Sequence, residues 1–211
     1  MLVLLTRIAT AQWSASATVV SDLRFRGVSL SDERPQALLQ VDADARNGSY
    51  AGAMLSAVHF DEQTRSSLLQ VYFGTATPLG PTLSSDIGLS YSHFASSPSY
   101  DYLELHGSLN GPRWHMGLYA SPNYFGNNYR SLYVEADAFL PLATAWRVLA
   151  HVGQLRANTN SLRADARVGL AWQEKPCEVQ FAWVGAGQGG PEPSAYGQRR
   201  RTAVLSVTFI Y

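Results

Sequence analysis

The sequence predicts an all-β protein, and specifically a 12-stranded antiparallel up-and-down transmembrane β-barrel. Three observations carry this prediction. Apolar and polar residues alternate with period two in segments of about nine to twelve residues, the length of a membrane-crossing strand. Short and long connections alternate between these segments. The last segment keeps an apolar register up to the aromatic terminal residue Tyr211.

Composition excludes several other classes of protein. The 211 residues carry 16 basic and 16 acidic side chains, and this zero net charge argues against a nucleic-acid partner. No run reaches the roughly 18 to 20 apolar residues that a membrane-spanning helix needs, which excludes a helical membrane protein. Cys177 is the only cysteine, which excludes a disulfide scaffold.

The N-terminus has the pattern of a shortened export signal. Met1 to Leu5 is apolar, and Ala9-Thr10-Ala11 is similar to a signal-peptidase site. We therefore expect residues 1–11 to be a truncated signal peptide and residues 12–211 to form a single outer-membrane barrel domain. The alternative is an ordinary frayed N-terminus.

The strand prediction follows the alternation segment by segment. In the tenth segment, for example, Leu162, Ala164 and Ala166 alternate with charged neighbours. An even number of such segments is expected of a bacterial single-chain barrel. The predicted strands lie near residues 16–26, 37–46, 49–59, 67–75, 85–94, 100–109, 113–121, 131–140, 145–154, 161–172, 177–184 and 201–211.

The connections predict the orientation of the barrel. Asn47-Gly48 and Asn110-Gly111-Pro112 are tight hairpin turns, because Asn-Gly adopts positive φ readily. Residues 27–36 and 185–200 are long connections on the other side. Outer-membrane barrels have short periplasmic turns and long external loops, so we expect both termini to be periplasmic.

Aromatic residues on the apolar face are expected to form girdles at the two membrane interfaces. The predicted girdle comprises Phe25, Phe73, Tyr91, Trp114, Trp146, Trp172, Trp183, Phe209 and Tyr211.

The opposite faces are predicted to line the lumen, and they carry both signs of charge in near balance. They include Asp22, Arg24, Arg26, Asp42, Asp44, Glu104, His106, Arg113, His115, Glu135, Asp137, Arg147, His151, Arg163, Asp165, Arg167 and Glu178. One interpretation is an ion-pair network that joins the strands and closes the bore. The other is a narrow hydrated pore whose charges select small solutes.

Glycines recur on the same inward register and predict a crowded lumen. Glycine inside a strand often leaves room for a bulky neighbour. The glycines are Gly52, Gly74, Gly88, Gly117, Gly153 and Gly169, and the candidate neighbours are Tyr50, Tyr72, Tyr119 and Tyr133.

Catalysis, metal binding and cofactor binding are not expected. His106 and Ser108 share one face of a strand, as a base and a nucleophile could, but their register points inward, away from lipid. Asn110 with Gly111 is better explained as a turn. No cluster of histidine and acidic residues has metal-site spacing, and we expect Cys177 to act as a small apolar group on the lipid face.

The last strand predicts the partners. Its register from Ala203 to Tyr211 resembles the C-terminal signal that barrel-assembly machinery reads on outer-membrane proteins. We therefore expect contact with that machinery during biogenesis and with outer-membrane lipid and lipopolysaccharide afterwards. The phosphates of lipopolysaccharide would suit Arg199, Arg200 and Arg201. The sequence favours no particular oligomeric state.

Several blocks resemble one family. The opening block from Val19 to Ser31, with its Ser-Asp-x-Arg-Phe-Arg-Gly-x-Ser core, is the most specific. Tyr50 to Ser56, Tyr102 to Leu105 and His151 to Gly153 are shorter matches. Together they are similar to the Gcw-type conserved hypothetical outer-membrane proteins of proteobacteria. The resemblance implies a barrel in the outer membrane and assigns it no biochemical role.

The functional expectation is a narrow porin-like channel for small polar solutes in the outer membrane of a Gram-negative bacterium. A closed structural or adhesive barrel, acting through its external loops, is the alternative. A lipid hydrolase is the remote alternative.

Overall fold

The computed structural model describes residues 12–60, 64–157, 162–188, 190–192 and 199–211. The predicted leader, residues 1–11, and part of the predicted loop 185–200 lie outside the described residues. Within this part of the chain, no helix has the length and apolar character needed to cross a membrane.

The described chain forms a closed antiparallel barrel, which confirms the predicted fold class. Twelve strands follow one another around the wall in chain order, and β1 closes the ring by pairing with β14. The remaining two strands, β2 and β3, form a separate small hairpin. The strands are β1 Gln12–Val20, β2 Arg24–Phe25, β3 Val28–Ser29, β4 Gln36–Asp44, β5 Ser49–His59, β6 Arg65–Pro78, β7 Ser84–Phe94, β8 Tyr102–Gly111, β9 Trp114–Ser121, β10 Ser131–Pro141, β11 Trp146–Ala157, β12 Leu162–Glu174, β13 Cys177–Ala186 and β14 Arg201–Ile210.

The two ends of the barrel differ. The turn end holds the tight connections and the first residues of β1, and the loop end holds the long connections. The connections at the turn end are residues 45–48, 79–83, 112–113, 142–145 and 175–176, and those at the loop end include residues 21–35, 95–101 and 122–130.

The outer surface of the wall is apolar, as the alternation predicts. Val152 is 60% exposed and Val168 is 56% exposed, although both lie in the middle of strands. Their sequence neighbours point inward. Large aliphatic side chains left exposed all around a barrel are the surface expected against hydrocarbon, and they are not the buried faces of a soluble sandwich.

The seam between the first and last strands closes the ring. β1 pairs with β4 along its whole length, from Gln12 to Val20, but with β14 only from Ser16 to Val20. Beyond that ladder, Ala15 and Tyr211 exchange two backbone hydrogen bonds of 3.1 and 2.8 Å. On the inner side, the Thr18 and Thr208 hydroxyls lie 2.9 Å apart.

The first predicted strand, residues 16–26, is wrong at its C-terminal end. The wall strand β1 ends at Val20, and the chain then turns into the barrel. Arg26 and Gly27 have φ angles of +49° and +77°, and this left-handed pair makes the β2–β3 hairpin. Residues 22–31, here called the plug segment, therefore lie inside the barrel. The backbone amide of His59 donates to the Leu30 carbonyl at 2.7 Å and ties the plug segment to β5.

An aromatic core fills the loop end of the lumen around the plug segment. Tyr124 and Phe125, in the connection between β9 and β10, are fully buried. The Phe125 ring stacks on Tyr102 at 4.9 Å and packs against Phe94 at 5.6 Å. The buried members of this cluster are Leu30, Val58, Phe60, Leu68, Phe94, Tyr102, Tyr124, Phe125, Tyr133 and Leu155.

Candidate functional site: the barrel lumen

A polar cavity of about 750 Å³ occupies the lumen. Residues 22–27 of the plug segment contribute to its lining, and the cavity reaches toward the turn end, where Asp86 and His115 lie near the first residues of their strands. Eleven of the predicted lumen residues line it: Asp22, Arg24, Arg26, Glu104, His106, His115, Glu135, Asp137, His151, Asp165 and Arg167.

Arg26 anchors the plug segment. Its Nη2 donates to both carboxylate oxygens of Glu104 at 2.9 Å, and both side chains are almost completely buried. The guanidinium also lies 4.1 Å from the centre of the Tyr133 ring and 4.6 Å from that of Phe25. A buried charge with a carboxylate partner and aromatic faces around it is a strong local attachment.

A second ion pair sets the shape of the plug segment. Arg24 Nε donates to Asp22 at 2.6 Å, and Arg24 Nη1 donates to the Gly27 carbonyl at 2.9 Å. The hydroxyl of Ser31 donates to the other Asp22 oxygen at 3.2 Å. Asp22, Arg24 and Arg26 thus face the lumen from an internal hairpin and not from a wall strand.

Three histidines of the wall face carboxylates across the lumen surface. His106 Nε2 lies 3.0 Å from Asp86. His151 lies between two carboxylates, with Nδ1 3.0 Å from Asp137 and Nε2 3.0 Å from Asp165. The third histidine, His115, is farther from its carboxylate, with Nε2 3.4 Å from Glu135 Oε1.

Tyrosine hydroxyls connect these pairs. Tyr50 donates to Asp86 at 3.1 Å and contacts His106 Nε2 at 2.9 Å. Tyr133 donates to Asp165 at 3.2 Å and contacts His151 at 3.1 Å. These contacts form two networks, one across β5, β7 and β8 and the other across β10, β11 and β12, as the ion-pair interpretation expects.

The predicted pairing of inward glycines with tyrosines is confirmed at four of the six glycines. A Cβ atom would lie within 3 Å of a tyrosine ring at each of these positions. The pairs are Gly52 with Tyr72, Gly74 with Tyr50, Gly117 with Tyr119, and Gly153 with Tyr133.

Four predicted lumen residues lie inside the barrel outside the cavity lining. Arg163 is fully buried at the loop end, where it donates to Glu192 at 2.5 and 2.6 Å. Arg147 pairs with Glu178 and also donates to Gln173 at 2.8 Å. Asp42 accepts hydrogen bonds from Tyr72 and Gln40.

Two predicted lumen residues lie elsewhere. Arg113 is exposed in the tight turn between β8 and β9, so it belongs to the turn end and not to the lumen. Asp44 is opposite Tyr50 in the ladder, but it is the last residue of β4 and is exposed to solvent. Arg113 lies past the end of β8, and Asp44 keeps the inward register but lies at the solvent-exposed end of β4.

One predicted girdle residue is wrong. Phe25 is on the plug segment and lines the cavity, where its ring lies 6.3 Å from that of Phe125. It was assigned to the lipid face because the alternation of β1 runs on into the plug segment. The structure places the other girdle residues on the outer face: Phe73, Tyr91, Trp114, Trp146, Trp172, Trp183, Phe209 and Tyr211.

Sequence reasoning missed several residues. Asp86 is two residues before Gly88, which was assigned inward, so the same register could have identified it. Trp13 is 70% exposed at the turn end and extends the aromatic girdle. Glu192 lies in a Gly/Pro-rich loop, and no local pattern marks it as the buried partner of Arg163.

The His106 and Ser108 side chains both line the cavity, but they do not form a catalytic pair in the described contacts. His106 interacts with Asp86 and Tyr50, and Ser108 accepts a hydrogen bond from Asn110 at 3.1 Å. Both face away from the lipid surface, so the arrangement does not present a nucleophile to a bilayer lipid.

Outside the wall, Asp101 organises the loop between β7 and β8. It accepts hydrogen bonds from the Phe94 backbone amide and from His93, both at 2.7 Å, and from Tyr91 at 2.9 Å. Partial burial alone would raise the pKa of Asp101. The hydrogen bonds outweigh burial and hold the pKa below its ordinary value of 3.8.

The closed barrel with an apolar exterior and a polar interior has the fold of bacterial outer-membrane barrels. A solved structure of the KdgM porin is 13% identical with a TM-score of 0.60, and the alignment covers 93% of this chain and 98% of that one. The KdgM porin in complex with disordered oligogalacturonate is 12% identical, with the same TM-score and the same coverage. Omp33 of Acinetobacter baumannii is 9% identical with a TM-score of 0.56, covering 95% and 98%.

These similarities concern the fold. The chain belongs to the family described as "Bacterial protein of unknown function (Gcw_chp)", whose family model matches residues 8–209. This match confirms the resemblance found in the sequence. No curated protein matches the chain.

Proposed function

We propose that the protein is a narrow porin-like channel for small polar solutes in the outer membrane of a Gram-negative bacterium, with the loop end outside, and that it is not an enzyme. The observation that carries this proposal is the cavity of about 750 Å³ inside the barrel, whose lining includes charged side chains from several wall strands. A barrel that served only as a scaffold could fill this volume with side chains. The porins among the similar folds support the proposal at the level of architecture.

The charges of the lining favour neutral or cationic solutes. Among the described residues, six carboxylates line the cavity with three guanidinium groups and three imidazoles: Asp22, Asp86, Glu104, Glu135, Asp137 and Asp165, with Arg24, Arg26, Arg167, His106, His115 and His151. Two of the arginines are already paired with carboxylates on or next to the plug segment. Oligogalacturonate, the polyanion in the KdgM complex, is therefore not the solute that we propose here.

The plug segment would control passage. It lies with the aromatic core across the loop end, so the described arrangement is a closed state. Opening requires the plug segment to move, and the buried contact between Arg26 and Glu104 is its main ionic attachment. We therefore expect the protein with an intact plug segment to conduct weakly.

Planar-bilayer recording tests the channel. Val20 and Gln36 are paired neighbours in the wall, so residues 22–34 can be replaced by a short Gly-Ser linker without breaking the ladder between β1 and β4. The expected result is rare small conductance steps for the wild type and at least several-fold larger steps for the deletion variant. Under a salt gradient across the bilayer, the reversal potential should have the sign expected for a channel that selects cations.

Two further variants sharpen this test. In the deletion background, Glu135→Gln should reduce the cation selectivity. Glu174→Gln is the control, because it removes the same charge from an exposed residue at the turn end of β12. Steps no larger than the lipid background in the folded deletion variant, at several voltages and salts, would exclude the channel.

A closed structural or adhesive barrel is the second candidate, and one observation favours it. The loop end is filled by the aromatic core and by the fully buried pair of Arg163 and Glu192. In that case the deletion variant would give no conductance steps. Replacement of the external loops would instead change the envelope phenotype of the cell.

A further inference from the structure

The wall of the lumen brings together three metal-ligating side chains that are distant in sequence. His115 is on β9, and Glu135 and Asp137 are on the adjacent strand β10. The antiparallel register sets His115 directly opposite Asp137 and Gly117 opposite Glu135. One ligand atom from each of the three residues lies within 4.8 Å of the others.

The His115 ring is oriented as a metal ligand would be. Its Nδ1 lies 2.7 Å from Asn110 Oδ1, and Asn110 Nδ2 in turn donates to Ser108 at 3.1 Å, which sets the amide orientation. The amide oxygen accepts only, so Nδ1 donates to it, and Nε2 is the ring atom left to face Glu135 and to bind a metal once it is deprotonated. An outer hydrogen bond of this kind fixes the tautomer of a ligating histidine.

The separation of the ligand atoms also fits. His115 Nε2 lies 3.4 Å from Glu135 Oε1. This is longer than an ordinary N–H···O hydrogen bond, which spans about 2.7 to 3.2 Å. It matches the distance of about 3.4 Å between two ligand atoms around a tetrahedral ion with bonds of about 2.1 Å.

Gly117 keeps the space beside the ligand atoms open. A Cβ atom at this position would lie 3.0 Å from His115 Nε2 and 3.1 Å from Glu135 Oε1. Any larger residue would crowd the two ligand atoms. The backbone at Gly117 therefore leaves room for the Tyr119 ring and for the ligand atoms of His115 and Glu135.

The carboxylates are held by neighbouring groups. Tyr119 donates to Glu135 Oε1 at 2.7 Å, and His151 Nδ1 lies 3.0 Å from Asp137 Oδ1. Such outer partners orient ligating carboxylates. Within the described part of the chain, no arginine or lysine forms a salt bridge with Glu135, whereas Arg167 lies 3.5 Å from Asp137 Oδ1.

We propose that His115, Glu135 and Asp137 bind one divalent transition-metal ion of the zinc class in the lumen. A site with one imidazole and two carboxylates suits Zn²⁺, whereas Ca²⁺ and Mg²⁺ prefer oxygen ligands alone. Three protein ligands leave a fourth position for water from the cavity. This site is independent of conduction, since it requires only that the barrel be folded.

Isothermal titration of the detergent-solubilised full-length barrel with ZnCl₂ tests the proposal, after the protein has been treated with a chelator. The expected result is one equivalent of Zn²⁺ per barrel and no comparable heat with CaCl₂. His115→Ala and Glu135→Gln should each abolish binding at this site. Asn110→Ala, which removes only the outer hydrogen bond, should weaken it by about 10- to 100-fold.

His93→Ala is the matched control. His93 also faces a carboxylate, Asp101 at 2.7 Å, but that pair has no second carboxylate and lies at the loop end. The His93→Ala variant should still bind one equivalent of Zn²⁺ per barrel. Circular dichroism and heat-modifiable gel migration establish that each variant is folded. Absence of Zn²⁺ binding in the wild type, or unchanged binding in folded His115→Ala, would overturn the proposal.

Discussion

Single contacts between glycines and tyrosines determine how tightly the lumen is packed. Tyr133 lies over Gly153, and a Cβ at residue 153 would approach its hydroxyl oxygen to 2.0 Å. The ring cannot move away freely, because the hydroxyl is bonded to Asp165 and His151 and the ring also faces Arg26. One methyl group at this position therefore disturbs the wall, the ion-pair network and the plug segment together.

We predict that Gly153→Ala destabilises the folded barrel by about 1 to 3 kcal/mol, the usual cost of overpacking. Guanidinium unfolding in lipid vesicles measures this change. Gly80→Ala is the control, because no atom lies within 4 Å of a Cβ built there. Equal stability of the two variants would show that Tyr133 can relax without cost.

Asp101 makes the stability of the loop between β7 and β8 depend on pH, and the direction of its pKa shift fixes the sign of that dependence. Its folded pKa is below the ordinary value of 3.8, so its hydrogen bonds stabilise the loop fully above that value. This stabilisation is lost as the pH falls through the lower, folded pKa. NMR titration of the Asp101 carboxyl should give a midpoint below 3.8, and His93→Gln should move the midpoint upward. A wild-type midpoint at or above the ordinary value would contradict this prediction.

At the scale of elements, the plug segment is held by a buried ion pair to β8, and its backbone pairs with the wall only at the single parallel bridge between Ser31 and His59 among the described residues. Arg26 belongs to the turn between β2 and β3, and Glu104 belongs to β8. Removing one partner of such a pair leaves an uncompensated buried charge. The attachment should therefore respond strongly to one substitution.

We predict that Glu104→Gln weakens docking of the plug segment by about 3 to 5 kcal/mol. Hydrogen exchange at the Leu30 amide, which donates to Leu23 at 2.7 Å within the plug segment, reports the loss. The double variant Arg26→Met with Glu104→Gln should recover part of the protection, because it removes both charges. Unchanged exchange in Glu104→Gln would show that the aromatic core alone holds the plug segment.

The sequence predicted the wall strands well because each has one face toward lipid and one toward the lumen. This makes the period of two visible without knowledge of contacts. The plug segment shows the same local alternation, since Leu23 and Phe25 alternate with Asp22, Arg24 and Arg26. Its apolar residues pack against the aromatic core instead of lipid, and the positive φ angles at residues 26 and 27 fold it into a hairpin.

The groupings in the lumen could not be predicted from spacing alone. Inward residues are identifiable strand by strand, but their neighbours depend on the register between strands. His115 and Asp137 are opposite each other because of the register of the ladder between β9 and β10. Glu192 reaches Arg163 through a connection without a repeating pattern.

At the scale of the whole molecule, the five tryptophans report the position of the barrel in a bilayer. All of them lie on the outer face, four near the turn end and Trp183 on the half toward the loop end. Tryptophan is favoured at membrane interfaces. The apolar band between the two groups would then match the hydrocarbon thickness of an outer membrane.

We predict that lipids brominated near the headgroup quench tryptophan fluorescence more strongly than lipids brominated near the bilayer centre. A variant that keeps only Trp183, with phenylalanine at the other four positions, should show the same order. Trp183→Phe is the complementary variant and reports the turn end. Stronger quenching from the bilayer centre would contradict the assignment of the girdles.

The position of the plug segment also has a consequence for the order of events during biogenesis. The segment follows the first wall strand, yet apart from the backbone contact with β5 its partners lie far along the chain, in β8, in the connection after β9, and at Asp165 and Ala186 beside Gly27. These partners are synthesised well after the plug segment itself. We therefore expect the aromatic and charged groups of the plug segment to stay uncovered until these later strands have joined the wall.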